Sequence, residues 1–160
     1  MIFKPPQNIA HRDFTKPSIF LAGSIEMGTA EDWQSKSEAI FNSFEFNVFN
    51  PRRNDWDSSW VQEYTNPQFY QQVNWELDAM DAADYILMYF SKDTKSPITL
   101  LELGLFAKED KRLVVVCPDG FWRKGNVDIV CQRYLVPIAD TLDEAIRFII
   151  HHNQEQQHAD

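Results

Sequence analysis

Five short apolar runs alternate with stretches of helical periodicity, and that alternation constrains the fold more than any other feature. The runs are SIFLAG (18–23), FEFNVF (44–49), YILMYF (85–90), RLVVVC (112–117) and YLVPIA (134–139). Each is short for a helix and rich in the Phe, Val, Ile or Tyr that strands favour. Between them, AEDWQSKSEAIFNS (30–43) has acids in its first turn and apolar residues at Trp33, Ala39, Ile40 and Phe41. Asn66-Pro67 supplies a cap and a proline at the first helical position, opening a helix that runs to about Ala83. Ser96-Pro97 opens another in the same way, VDIVCQRY contains a short helix, and TLDEAIRFIIHH (141–152) is amphipathic. Strands alternating with helices predict a single doubly wound, flavodoxin- or Rossmann-like α/β domain. Its mainly parallel sheet of five strands should take the order 2-1-3-4-5, with helices on both faces.

The chain of 160 residues fits one domain with a sizeable core. Residues 1–17, rich in proline and polar side chains, read as an extended arm. The domain proper should span 18–152, and 153–160 should fray. With 24 acids against 15 bases, the net charge of -9 disfavours nucleic acid or an anionic membrane as a partner. A small nucleoside or nucleotide in a pocket is compatible with it. No run is long enough to span a membrane and no signal-peptide pattern opens the chain, so the expected location is the cytoplasm. Cys117 and Cys131 form no metal-ligand spacing and read as reduced core thiols, and the four histidines suggest no zinc site.

In sheets of this kind, ligands bind beyond the carboxyl ends of the strands, where the strand order reverses. Here those are the loops after the first and third strands. The first is FLAGSIEMGTAEDW (20–33), in which Ala22, Gly23 and Ser24, followed by Gly28, lead into a helix start. It either turns free N–H groups toward a ligand or is an ordinary strand-to-helix turn. The second is SPITLLELGLFA (96–107), an apolar run holding one acid, Glu102. Burying an unpaired carboxylate is costly, so Glu102 either pairs with an arginine or serves a pocket. Gly104 beside it allows close approach by backbone or ligand. On the preceding helix, Phe69, Val73, Glu76, Met80 and Ala83 share one face, which turns Glu76 inward with the core stripe. Two inward carboxylates flanking one strand suit an acid/base or nucleophile/acid pair, and glycosyl chemistry is a familiar use of such a pair. The long loop RRNDWDSSWVQEYT (52–65) adds Arg52, Asp55 and Trp56 as candidate binding residues. Its tryptophans, and Trp122, either stack on a base or cover protein surface.

At these residues the sequence resembles the nucleoside 2-deoxyribosyltransferase superfamily. FLAGSI is similar to its first-strand motif, ELDAMDAADYILMYF to its acidic helix and third strand, and SPITLLELGLFA to its ELG motif. The three are in the family's order and spacing. NPRRNDWD and GFWRKGNV further resemble a deoxyribosyltransferase-like branch. The resemblance implies that Glu102 is the nucleophile that forms a covalent glycosyl-enzyme at C1′. It places Glu76 where an aspartate contacts the sugar or assists the base. Phe20 stands where a tyrosine hydroxyl often orients the nucleophile, and that hydroxyl is absent here. Asn126 resembles an asparagine offered by a neighbouring subunit, which implies a homo-oligomer. Ser96 replaces an aspartate that handles the base. Together with Gly23-Ser24-Ile25 it looks like a branch hydrolysing deoxynucleoside 5′-monophosphates, but Glu26 stands where that branch has an arginine. Arg52 and Arg53 are the available substitutes.

The implied activity is transfer of 2-deoxyribose between bases, without cofactor or metal, on nucleoside and nucleobase substrates. The alternatives are a nucleoside 5′-monophosphate N-glycoside hydrolase and a nucleotide-sensing module without turnover.

Overall fold

The computed structural model describes residues 1–25, 32–53, 55, 57, 59–109 and 112–159. SIFLAG forms the strand β2 (Ser18–Gly23), buried over its first five residues, as expected of a central parallel strand covered on both faces. The further strands are β1 (Ile2–Phe3), β3 (Asn47–Phe49), β4 (Tyr85–Tyr89), β5 (Arg112–Val116) and β6 (Ile138–Ala139). They form one sheet in the order β1-β3-β2-β4-β5-β6, and every neighbouring pair is parallel. The five strands read from sequence take the expected 2-1-3-4-5 order. The sixth is the two-residue β1, which adds to the outer edge of β3 through Val48 N–H to Met1 O and Asn50 N–H to Phe3 O. A strand of that length carries no periodicity to read.

Two helices, α1 (Trp33–Ser43) and α5 (Leu142–Gln157), cover one face, packing Trp33, Phe41, Ile146 and Ile149 on Ile19, Leu21, Leu87 and Val114. The other face carries α2 (Pro67–Ala82), α3 (Pro97–Phe106) and α4 (Lys124–Arg133), which pack Trp75, Met80, Leu103, Phe106 and Val127 on Phe20, Ile86, Met88 and Val115. Side-chain caps fix three helix starts: Asp32 accepts from Ser35 N–H, Asn66 from Phe69 N–H and Thr141 from Glu144 N–H.

Element ends differ from the sequence reading for local reasons. The chain leaves α1 through Glu45 at φ 62, so β3 begins only at Asn47. Likewise Leu135 at φ 56 and Pro137, which lacks an N–H, shorten the last strand to Ile138–Ala139. The helix in VDIVCQRY extends back to Lys124. The last helix continues to Gln157, so most of the segment expected to fray is helical. The segment read as an arm contributes β1 and a short 3-10 helix at Ile9–His11, and Gln7 O accepts from Trp75 Nε1 at 2.8 Å. Among the described residues, no helix is long and apolar enough to cross a membrane.

Candidate active site

The helix α3 follows β4 at the carboxyl edge of the sheet. It buries Thr99, Glu102, Leu103 and Phe106, and turns Ile98, Leu101 and Leu105 to solvent. Spacing of three and four residues puts Glu102 on the inward face, and it is only 7% exposed. Among the described residues its carboxylate has neither a hydrogen bond nor an ion pair, so the arginine-paired alternative does not apply. Burial, and then the negative charge of Glu76, push its pKa from 4.5 up to about 8. Gly104 lies on the outer face, where an added Cβ would meet open space, so it makes no close approach within the chain.

Glu76 comes from α2. The buried stripe of this helix is Gln72, Trp75, Ala79 and Met80, rotated from the stripe expected through Phe69 and Val73. Glu76 therefore sits at the margin of the core stripe rather than along it, which leaves its carboxylate beside the site. Burial raises its pKa from 4.5 to about 7, and a hydrogen bond from Gln72 works in the opposite direction. Gln72 Nε2 donates to Glu76 Oε1 at 2.6 Å and to Pro51 O, just past β3, at 3.0 Å. The two carboxylates act on each other electrostatically. Burial is the larger cause for both, so the two ionise in sequence as pH rises, Glu76 before Glu102.

The end of β2 is closely packed. Gly23 has φ +151, and a Cβ there would stand 2.3 Å from Tyr89 O and 2.8 Å from Trp33 Cζ2. Glycine is needed at this position for the β2–β4 contact, whatever binds above it. Ser24, Thr94 and Ser96, all buried, form a triangle of hydroxyls: Ser24 Oγ lies 2.8 Å from Thr94 Oγ1 and 2.5 Å from Ser96 Oγ, with Thr94 Oγ1 and Ser96 Oγ 2.7 Å apart. Ser24 Oγ also accepts from Ser91 N–H, and Thr94 Oγ1 donates to Ser91 O. This triangle ties the end of β2 to the turn that opens α3. Ser96 caps α3 in the left-handed region (φ 45) without a side-chain cap bond, because its hydroxyl faces the triangle. Phe20 and Ala22 lie in the core, with Phe20 against Trp75 at 6.5 Å.

In the loop after β3, Arg52 pairs with Asp32 at 2.8 Å, at the start of α1. Asp55, exposed, takes Arg53 Nε at 2.9 Å and Nη2 at 3.0 Å. The Arg53 side chain is 6% exposed, its guanidinium lies 5.0 Å over the Trp60 ring, and its Nη1 is buried without a partner among the described residues. Trp56, Glu26 and Gly28 lie outside the described residues. Asn126 is exposed in the first turn of α4, near Trp122, whose Nε1 donates to Lys95 O beside Ser96. The sequence reading missed Gln72 and Gln34. Both are buried polar residues with unpartnered atoms, Oε1 of Gln72 and both amide atoms of Gln34. Polar residues on a helix otherwise read as its wet side, so no sequence signal marked them. A concavity of about 310 Å3 at the opposite edge of the sheet is lined by Lys16, Phe44, Glu45 and Ile150 among others, and by no candidate residue.

The sequence matches the family described as nucleoside 2-deoxyribosyltransferase like over residues 16–121, most of the sheet and both carboxylates. The chain belongs to this nucleoside 2-deoxyribosyltransferase-like family. A similar solved structure is a conserved protein from Enterococcus faecalis V583: 10% identical, TM-score 0.57, covering 82% of this chain and 96% of that one. At that identity the likeness concerns the fold alone. No curated protein matches the sequence. Within the family frame, Glu102 and Glu76 lie inside the matched region, while Asn126 lies beyond it.

Proposed function

We propose that the protein transfers 2-deoxyribose between nucleobases through a covalent glycosyl-Glu102 intermediate. The observation that carries the reading is the pair of carboxylates at the carboxyl edge of β4, Glu102 buried and Glu76 half-buried, both with raised pKa values. One member ionised and one protonated is the state that nucleophilic displacement at C1′ requires. In the free site Gln72 favours the charge on Glu76, so the proton starts on Glu102. For reaction it passes to Glu76 or to the leaving base. A Glu102 oxygen then bonds to C1′ as the C1′–N bond breaks, and the base leaves with the proton. A second base attacks C1′, loses its own proton to the pair, and restores Glu102. Incubating the protein with thymidine and adenine tests this directly: deoxyadenosine and thymine are the expected products, and their absence sinks the transferase reading.

One observation favours a second reading. The unpaired, buried Nη1 of Arg53 calls for an acceptor and suits a 5′-phosphate, as in hydrolysis of a nucleoside monophosphate. Ser24 and Ser96 support it less, since their hydroxyls are bonded to each other. Turnover of dTMP to thymine and deoxyribose 5-phosphate, with no exchange, would establish that reading. Binding of either compound without product would mark a sensing module.

The working unit we propose is a homo-oligomer. Ile98, Leu101 and Leu105 expose an apolar stripe on α3, on the helix that carries Glu102, and Trp122 and Ile129 are exposed as well. A second copy seated there would carry its Asn126 toward the first copy's site, as the family resemblance implies.

A further inference from the structure

We propose that Gln72 is a specificity-determining residue of this site, its side-chain oxygen accepting a hydrogen bond from a sugar hydroxyl of the bound nucleoside. The inference rests on the nucleoside reading above. The carboxamide nitrogen carries two protons, and both are engaged within the chain, on Pro51 O at 3.0 Å and on Glu76 Oε1 at 2.6 Å. The amide cannot be turned over, because Pro51 O is a carbonyl and only accepts, so the nitrogen must face it. Gln72 Oε1 is then left buried, in a side chain more than nine-tenths buried, with no donor among the described residues. Buried carbonyl oxygens without a donor are uncommon in folded proteins. A donor that arrives with a ligand accounts for this one.

The neighbours define what that donor is. Oxygen and nitrogen of one carboxamide share a carbon, so the lone acceptor lies beside the Glu76 carboxylate. Glu102, protonated in the free site, still offers its carbonyl oxygen as an acceptor. A site lined by acceptors selects a group rich in O–H or N–H donors, and deoxyribose offers hydroxyls at 3′ and 5′. The base is the other source of donors. Gln72 is bonded to Glu76, one of the two carboxylates that act at the sugar, and this places the hydroxyl ahead of a base N–H.

The test measures equilibrium binding of thymidine, 3′-deoxythymidine, 5′-deoxythymidine and N3-methylthymidine to the wild-type protein, to Gln72→Met and to Gln72→Asn. Base exchange is followed in parallel as a function of pH. Wild type should bind one of the two deoxy analogues about tenfold more weakly than thymidine, the worth of one good hydrogen bond. Gln72→Met, which has no acceptor oxygen, and Gln72→Asn, whose oxygen is drawn back by one methylene, should bind both deoxy analogues within about twofold of thymidine. The acid limb of the pH–rate profile should move to higher pH in Gln72→Met, because Glu76 loses the donor that favours its ionised form. Equal binding of the hydroxyl-deleted analogues by wild type overturns the proposal without recourse to a variant. So does either variant if it keeps the tenfold preference, or if it loses instead a preference against N3-methylthymidine. The expected binding pattern in a protein that exchanges no base would uphold Gln72 and remove the transferase reading, so the two fail separately.

Discussion

A carboxylate on the buried face of α3, beside Thr99, Leu103 and Phe106, weakens the fold whenever it is ionised, and among the described residues no cation pairs with Glu102. Both carboxylates have folded-state pKa values above their ordinary 4.5, so between 4.5 and about 7 for Glu76, and about 8 for Glu102, the folded chain holds more protons than the unfolded one. Stability therefore declines as pH rises through that window. The melting temperature should fall between about pH 5 and pH 8, and Glu102→Gln should flatten the decline and melt higher at about pH 8. A steeper decline in the variant would contradict the burial argument. The same substitution should lower base exchange by roughly a thousandfold or more, since no nucleophile is left. For the wild type, exchange should peak between the pair's values of about 7 and about 8 and drop on both sides, where the pair holds two protons or none. A flat pH–rate profile would mean that the pair is not the acid/base couple. The inward position of Glu102 was legible because an acid inside an apolar pattern stands out. Gln72 was not, because a polar residue in a helix looks the same on paper whether water or a ligand satisfies it.

Among the elements, the turn from β2 into the site depends on Gly23 more than its modest motif suggests. Gly23→Ala would drive a Cβ into Tyr89 O, a backbone atom that cannot swing aside, at a backbone angle alanine avoids. We expect a loss of roughly 3–5 kcal/mol, seen as a melting temperature lower by about 10 °C or more. An unchanged melting temperature would mean that β2 and β4 separate freely at this point. Glycine could be read from the sequence but its purpose could not, since a tight strand pairing and a phosphate-facing turn call for the same residue. Strand content behaved similarly. SIFLAG, YILMYF and RLVVVC are buried on both faces and announce themselves as continuous apolar runs. By contrast, β1 and β6 are two-residue edge strands, set by pairing with β3 and β5 rather than by any pattern of their own. The hydroxyl triangle joins Ser24 to Thr94 and Ser96, which lie 70 and 72 residues further along the chain. Only the fold brings them together.

For the whole molecule, the outer face of α3 sets the decisive experiment, because Leu101, 60% exposed, sits one residue from Glu102, about 100° round the same helix. Each copy carries a net charge of -9, so two copies repel at long range and apolar contact must hold them together. Association should therefore tighten as salt rises, the reverse of a contact held by opposite charges. Light scattering after size exclusion should give a dimer or larger assembly for the wild type. Leu101→Glu puts a charge in the middle of the apolar stripe and should give a folded monomer. The wild-type and variant melting temperatures, taken at low protein concentration, should agree within a few degrees, since a solvent-facing side chain adds little to the core. Exchange activity then separates two arrangements. If the monomer loses most of its activity, each site needs a group from its neighbour, and Asn126→Ala in the intact oligomer should reproduce the loss. If the monomer exchanges bases as fast as the wild type, one chain holds the complete site, and Glu102, Glu76 and Gln72 must do the work without Asn126.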